Sequence, residues 1–265
     1  MKASGRMGAL AGALALALAG CATAPSGRSQ LMLVSPADMS QLGQQTFNDM
    51  RSKGEFANAP AQRAYATCVA TALIKVLPPP WNTQQWEVQI IKDDSANAFA
   101  LPGDRIGVNQ GMFKVATNQD QLAVVLGHEL AHVVSHHAAE RVSDNMVAQA
   151  GVSAASAYGG ANANAAAAAL GVGAQVGILL PFSRTQESEA DTLGQRYMAQ
   201  AGFDPRAAVT LWQKMDQQGG SRPPAFLSTH PQPGQRVQTL TRGAAQLLPV
   251  YQAARKSGHA PACKL

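Results

Sequence analysis

Residues 126–137 read LGHELAHVVSHH, and four of the six histidines in the 265-residue chain fall within them. His128 and His132 are four positions apart, so on a helix they project from one face, one turn apart. A single ion can then accept one imidazole nitrogen from each. Glu129 is offset by about 100° around the same helix, where it misses the ion yet reaches a water beside it. The pattern H-E-x-x-H therefore supplies two ligands and one base. Leu122, Val125, Leu126, Leu130, Val133 and Val134 form an apolar stripe through the segment, which predicts a buried helix. Gly127 removes bulk where a neighbour must come close. A surface helix with satisfied histidines is the bland alternative and explains neither the glutamate nor the stripe.

A catalytic zinc site needs a third protein ligand and one open position. Three residues and six residues after His132 stand Ser135 and Ala138, not the glycine and histidine of a metzincin. His136 lies one turn further along, but three consecutive turns of a straight helix cannot converge on one ion. His137 points elsewhere, to hydrogen-bond or to pack. The segment SRTQESEADTLGQRY, residues 183–197, offers Glu187, Glu189 and Asp191. Glu187 and Asp191 share a helix face, while Glu189 falls on roughly the opposite side. One of the pair can bind the metal while the other orients a ligating histidine through its free N–H. A solvated acidic face is the competing reading.

HELAH followed by S-R-x-x-E-x-x-A-D-x-x-G, matched by Ser183, Arg184, Glu187, Ala190, Asp191 and Gly194, resembles the gluzincin metallopeptidase family forty-eight. The resemblance spans about residues 40–245. It implies a zincin-type fold and one zinc ion per subunit. It also makes Glu187 the third ligand beside His128 and His132, and Asp191 the partner of a ligand. Glu129 becomes the catalytic base, taking a proton from water and delivering it to the leaving amine. Residues 95–111, SANAFALPGDRIGVNQG, look like the strand segment that precedes the family's metal helix. There an edge strand holds substrate backbone by β-augmentation, so Asn97, Ala98 and Phe99 are candidate substrate-binding residues. This chain carries Gly103-Asp104 where the family more often has Gly-Gly. STHPQPGQR, with His230 and Arg236, matches a late His-Pro motif. His230 is a candidate catalytic residue: it stabilises the reaction intermediate, occupies the open metal position in a latent state, or merely caps a loop. Arg236 is a candidate for binding a substrate carboxylate or, as the favoured reading, for pairing with an acid.

Residues 1–20 have a positive start at Lys2 and Arg6, then the apolar run ALAGALALALAG, too short to span a bilayer with ease. Leu18-Ala19-Gly20-Cys21 resembles a bacterial lipobox, which makes Cys21 the lipidation site. Several acyl chains on one residue give stable anchoring. Ala22 is not Asp, which favours the outer membrane, at its periplasmic face, over inner-membrane retention. Residues 21–36 then read as a tether, 37–256 as the peptidase domain and 257–265 as a tail. Cys68 and Cys263 are an even pair in an oxidising compartment. A disulfide between them would close a loop of about 195 residues, worth about 4–5 kcal/mol in the chain-entropy account; two unrelated thiols are the alternative.

The formal charge of +5 drops to +3 without Lys2 and Arg6, too mild and dispersed for nucleic acid. Residues 37–76 read as helical, interrupted at Pro60 and stopped at Pro78-Pro79-Pro80. WEVQIIKDD, NAFALPG and DRIGVN read as a small antiparallel sheet. Almost everything after Thr117 reads as helix, including a capping box at Ser183 and Gln186. The alanine- and glycine-rich residues 148–180 read as a packed or partly mobile helical hairpin rather than a membrane span. The fold class is thus α+β, mainly helical. The expected function is a lipid-anchored zinc endopeptidase acting on misfolded or misassembled envelope proteins. A chaperone-like binding protein with structural zinc is the rival, and either could work with envelope assembly partners. Length and lipobox place the chain with the short lipoprotein members of the resembled family.

Overall fold

The computed structural model describes residues 21–159, 181–218, 225–230 and 235–265. Residues 1–20, read from the sequence as a leader, and residues 160–180 of the alanine- and glycine-rich stretch lie outside them. Strands β1 (Cys21–Thr23) and β2 (Ser29–Leu31) form a hairpin. Helices α1 (Pro36–Ser52) and α2 (Pro60–Ile74) follow. Next come β3 (Glu87–Ile91), β4 (Ala98–Leu101), β5 (Arg105–Asn109) and the single turn α3 (Met112–Val115). The metal-motif helix α4 (Gln119–Val134) leads into α5 (His137–Gly159). After the undescribed gap come α6 (Arg184–Gln200), α7 (Ala207–Gln218), the short α8 (Ala225–Thr229) and α9 (Arg236–Lys256). Mainly helical α+β architecture is as expected from the sequence.

The boundaries have local causes. Ser35 caps α1 by accepting from the Asp38 amide, with proline in the first turn. At the start of α4 the cap is Asn118, whose side chain accepts from the Gln121 amide. Thr117 just before it donates its amide and hydroxyl to Gln121 Oε1. Ser183 and Gln186 form the expected capping box.

The three-stranded sheet corrects one expectation. Its order is β3-β5-β4, with β4 antiparallel to β5 but β3 parallel to it, so it is mixed rather than antiparallel. The β4–β5 turn is tight because Gly103 and Asp104 both take positive φ, 87° and 65°. Aspartate tolerates the left-handed region better than most residues, which is how Asp104 serves where a second glycine is more usual. Among the described residues, the side of β4 opposite β5 has no strand partner.

Residues 21–31, read as the beginning of a tether, are instead folded onto the domain. Ala24 and Gln30 are buried, and Arg28 reaches both α5 and α6. The core gathers around α4, whose residues from Leu122 to Val134 are all buried. It is enclosed by α2, α6, α7 and the sheet rather than lying on a surface with one buried stripe. Cys68 and Cys263 are bonded. The bridged tail also pins the start of α4: Gln119 Nε2 donates to the Pro261 carbonyl, and the Cys263 amide donates to Gln119 Oε1.

Candidate metal centre

Helix α4 presents His128 and His132 toward α6, which presents Glu187 and Asp191 in return. The two helices cross with little bulk between them, because Gly127 faces Gly194. The imidazole Nε2 atoms of His128 and His132 stand 3.0 Å apart. Glu187 Oε2 is 3.4 Å from His128 Nε2, and its Oε1 is 3.4 Å from His132 Nε2. His230, immediately after α8, brings Nδ1 to 3.1 Å from His128 Nε2 and 2.9 Å from Glu187 Oε1. Among the described residues this quartet is the one cluster of histidine, cysteine and carboxylate that could hold a metal ion, and all four side chains are buried.

The donors fit zinc. Ligand atoms of a tetrahedral ion with bonds of about 2.0–2.1 Å lie about 3.3 Å from one another, the spacing seen here. Three imidazole nitrogens and one carboxylate suit a borderline cation. The electrostatics also call for one. Burial alone would lower the His128 pKa, but the Glu187 and Asp191 charges outweigh it and push it up to about 9. Burial would raise Glu187, yet the surrounding imidazoles hold it far below the usual carboxylate range. His132 remains neutral: burial lowers its pKa well below normal, and the neighbouring imidazoles push in the same direction.

Each ligating histidine is held from behind. His128 Nδ1 is 3.0 Å from Asp191 Oδ1. Arg236 grips that carboxylate through Nε at 2.6 Å and Nη2 at 2.8 Å, reaches Glu187 Oε2 at 2.9 Å, and stacks 3.6 Å over the Trp212 ring. This corrects the candidacy of Arg236 as a substrate-binding residue. Its side chain is 1 % exposed and committed to two buried acids, so a substrate carboxylate cannot reach it; of the two readings, acid pairing is the one its geometry matches. His132 Nδ1 meets His137 Nδ1 at 2.8 Å, and His137 Nε2 meets Glu189 Oε2 at 3.0 Å.

Glu129 looks into the centre from the other side of α4. Burial raises its pKa against the pull of His230 and His128. Oε2 lies 3.4 Å from the Ala100 amide, while Oε1 is buried with no hydrogen-bond partner among the described residues, His230 Nε2 standing 3.3 Å off. A cavity of about 150 Å³ opens here. Asn97, Ala98 and Phe99 line it along the unpaired side of β4, with Glu129, His132 and His230 across from them. Phe99 packs over Gly107, leaving no room for a side chain there.

His136 is not on the metal face at all. Helix α4 ends at Val134, and His136 takes φ 54°, turning the chain into α5 beside Trp81. That turn delivers His137 behind His132. Sequence reasoning did not bring His137, Glu189 and Arg28 to the site, although a histidine five positions past His132 signals a further imidazole that returns to it once the helix stops. Arg141, whose guanidinium lies 3.6 Å over the Phe182 ring beside the cavity, was missed too.

An H-E-x-x-H helix whose donor set is closed by a glutamate from a second helix defines the zincin class of metallopeptidase in its glutamate-liganded form. The model of peptidase family M48 matches residues 60–244. The chain belongs to that zinc-dependent family. It is 39 % identical over 158 residues to the mitochondrial metalloendopeptidase OMA1 of Schizosaccharomyces pombe, covering 59 % of this chain and 46 % of the relative. It is 32 % identical over 170 residues to the beta-barrel assembly-enhancing protease of Escherichia coli, covering 61 % and 35 %. The match to OMA1 of Arabidopsis thaliana is 32 % over 157 residues, covering 59 % and 31 %. The chain thus spans less than half the length of these relatives.

Proposed function

We propose that this chain is a zinc-dependent endopeptidase of the bacterial envelope, with His128, His132 and Glu187 as the metal ligands and Glu129 as general base. The observation that carries the reading is the orphaned Glu129 Oε1, buried beside the donor cluster and facing the cavity under β4. A purely structural site requires neither a base nor a cleft. When bound, zinc would supply Lewis acidity toward a water and a peptide carbonyl. The protein's own groups do the rest. Asp191 and His137 fix the ligand rings by accepting from their outer nitrogens. The free edge of β4 holds an extended substrate backbone in the manner of an added strand, with Asn97, Ala98 and Phe99 beside it. Glu129 Oε1 takes a proton from water and passes it to the departing amine.

The envelope assignment draws support from the Leu18–Cys21 pattern and from the beta-barrel assembly-enhancing relative. The OMA1 relatives are mitochondrial, so family membership alone does not choose a compartment. No helix among the described residues is long and apolar enough to cross a membrane; the proposed anchor to the outer membrane is lipid on Cys21, on the strength of the Leu18–Cys21 pattern. Misfolded or misassembled envelope proteins are the proposed substrates, because a strand-pairing edge binds exposed backbone without demanding a sequence. The chaperone-like alternative is not favoured, since the relatives are named as proteases.

Glu129→Gln is the test. The variant should retain one zinc per chain while cleavage of an unfolded protein such as casein falls by about 100-fold or more. Wild-type cleavage by that variant would remove Glu129, and with it the mechanism, from the account.

A further inference from the structure

We propose that the β1–β2 hairpin is a strap that positions the metal-ligating His132 through Arg28, Glu189 and His137. The two ligating histidines are backed in parallel ways. His128 is oriented by Asp191, which is gripped by Arg236. His132 is oriented by a longer chain that ends not in the core but at residue 28.

The direction of that chain follows from the chemistry of imidazole. His132 points Nε2 at the donor cluster, and a neutral ligand with Nε2 free carries its proton on Nδ1. That N–H donates to His137 Nδ1 at 2.8 Å, so His137 must carry its own proton on Nε2. His137 Nε2–H in turn donates to Glu189 Oε2 at 3.0 Å. Glu189 is kept ionised by the hairpin: Arg28 donates from Nε at 2.8 Å and Nη2 at 3.0 Å, and Ser26 Oγ donates at 2.5 Å. Arg28 is anchored on its other side by both oxygens of Glu140, with Nη2–Oε2 at 2.8 Å. Gln186 Nε2 holds that same carboxylate at 2.7 Å. The chain is buried at His137 and opens gradually toward the hairpin. His137 is fully buried, the Glu189 and Glu140 side chains are 10 % and 8 % exposed, and Arg28 is 28 % exposed.

The hairpin is built to present this arginine. Gly27, at φ 86°, turns the chain, and the Ala24 amide donates to the Arg28 carbonyl at 2.8 Å. Beyond β2 the Leu33 amide donates to Ser143 Oγ at 2.8 Å, holding the strap against α5. An ordinary surface ion pair is worth little. A guanidinium that bridges two carboxylates, one of which orients a ligand-bearing histidine, acts on the metal instead, because removing such outer partners typically costs about 10- to 100-fold in metal affinity.

The proposal rests on the zinc reading of the centre, and the experiment separates the two. The zinc dissociation constant of the full chain is measured by competition with a chromophoric chelator, with urea unfolding of the metal-free protein as a check on folding. Wild type should bind one zinc; if it does not, the reading of the centre fails, and the strap with it. His137→Ala and Arg28→Ala should each weaken zinc binding, about 10-fold or more for the first and by a smaller factor for the second. The decisive protein is the double variant. With His137 gone the chain is cut, so Arg28→Ala should cause no further loss. His137→Asn, which restores an acceptor near Nδ1, should recover much of the affinity without restoring dependence on Arg28. If Arg28→Ala does not fold, Arg28→Lys keeps the charge but loses the fork and should show part of the loss. Wild-type affinity in the Arg28 variants, or an equal loss from Arg28→Ala with and without His137, would overturn the proposal.

Discussion

Gly127 and Gly194 face each other where α4 crosses α6, and the approach is too close for a side chain on the second. A methyl group on Gly194 would lie 2.7 Å from the His128 backbone nitrogen and 2.8 Å from the Gly127 carbonyl carbon. Backbone, unlike the end of a flexible side chain, cannot move aside cheaply. This contact sets the distance between the histidine pair and Glu187.

Gly194→Ala should therefore destabilise the protein by about 1–3 kcal/mol through overpacking, in spite of a gain of up to about 1 kcal/mol in helix propensity. Urea unfolding reads the first effect. Zinc affinity should fall as well, since α6 carries both Glu187 and Asp191. A variant as stable as wild type would show that the helices can part without penalty.

Arg236 neutralises two buried acids at once, so its removal leaves charge uncompensated in the core. Arg236→Ala is expected to cost about 3–5 kcal/mol, and more in metal-free protein than in zinc-loaded protein, where the ion supplies part of the missing charge. Arg236→Lys should restore only part of the stability, because a single ammonium cannot reproduce the fork on Asp191. Equal losses with and without zinc would argue that Arg236 and the metal do not share their electrostatic task.

His230 completes the donor quartet and stacks on Phe226 at 4.2 Å, an arrangement that favours the latent-state reading over the intermediate-stabilising one. His230→Ala should weaken zinc binding while raising the basal rate of peptide cleavage. A fall in cleavage with zinc affinity unchanged would instead assign His230 to the intermediate.

Glu140 links the strap to acid stability. Burial would raise its pKa, but hydrogen bonds from Arg28 and Gln186 outweigh burial and hold it below the ordinary value of 4.5. A group depressed in the folded state stabilises fully above its unfolded pKa and loses that contribution as pH falls through the folded one. Thermal stability should thus decline below about pH 4.5, and Glu140→Gln should be less stable than wild type at pH 7 but closer to it at pH 3. A constant gap between the two proteins across that range would contradict the assignment.

The paired histidines were legible because they obey a local rule, whereas Glu187 was singled out from its acidic neighbours only by the family resemblance. H-E-x-x-H is a statement about one helix turn, and Ser183 with Gln186 states where the next helix starts. Cysteine parity suggested the Cys68–Cys263 bridge. What sequence could not convey was the consequence of the turn at His136. Its positive φ redirects the chain between α4 and α5, so His137 lands behind His132, and Glu189, read as lying off the metal face, becomes its partner. Residues 21–31 misled for a related reason: a short polar segment reads as a tether unless the distant acids that capture Arg28 are known. Parallel pairing of β3 was likewise invisible, because strand periodicity fixes which residues face inward but not the direction of the neighbouring strand.

Metal analysis combined with X-ray absorption at the zinc edge tests the centre most directly. The purified protein should contain one zinc per chain, ligated by nitrogen and oxygen at about 2.0–2.1 Å, and His128→Ala should lose most of it. A protein free of metal, or one whose zinc is indifferent to His128 and Glu187, would contradict the account.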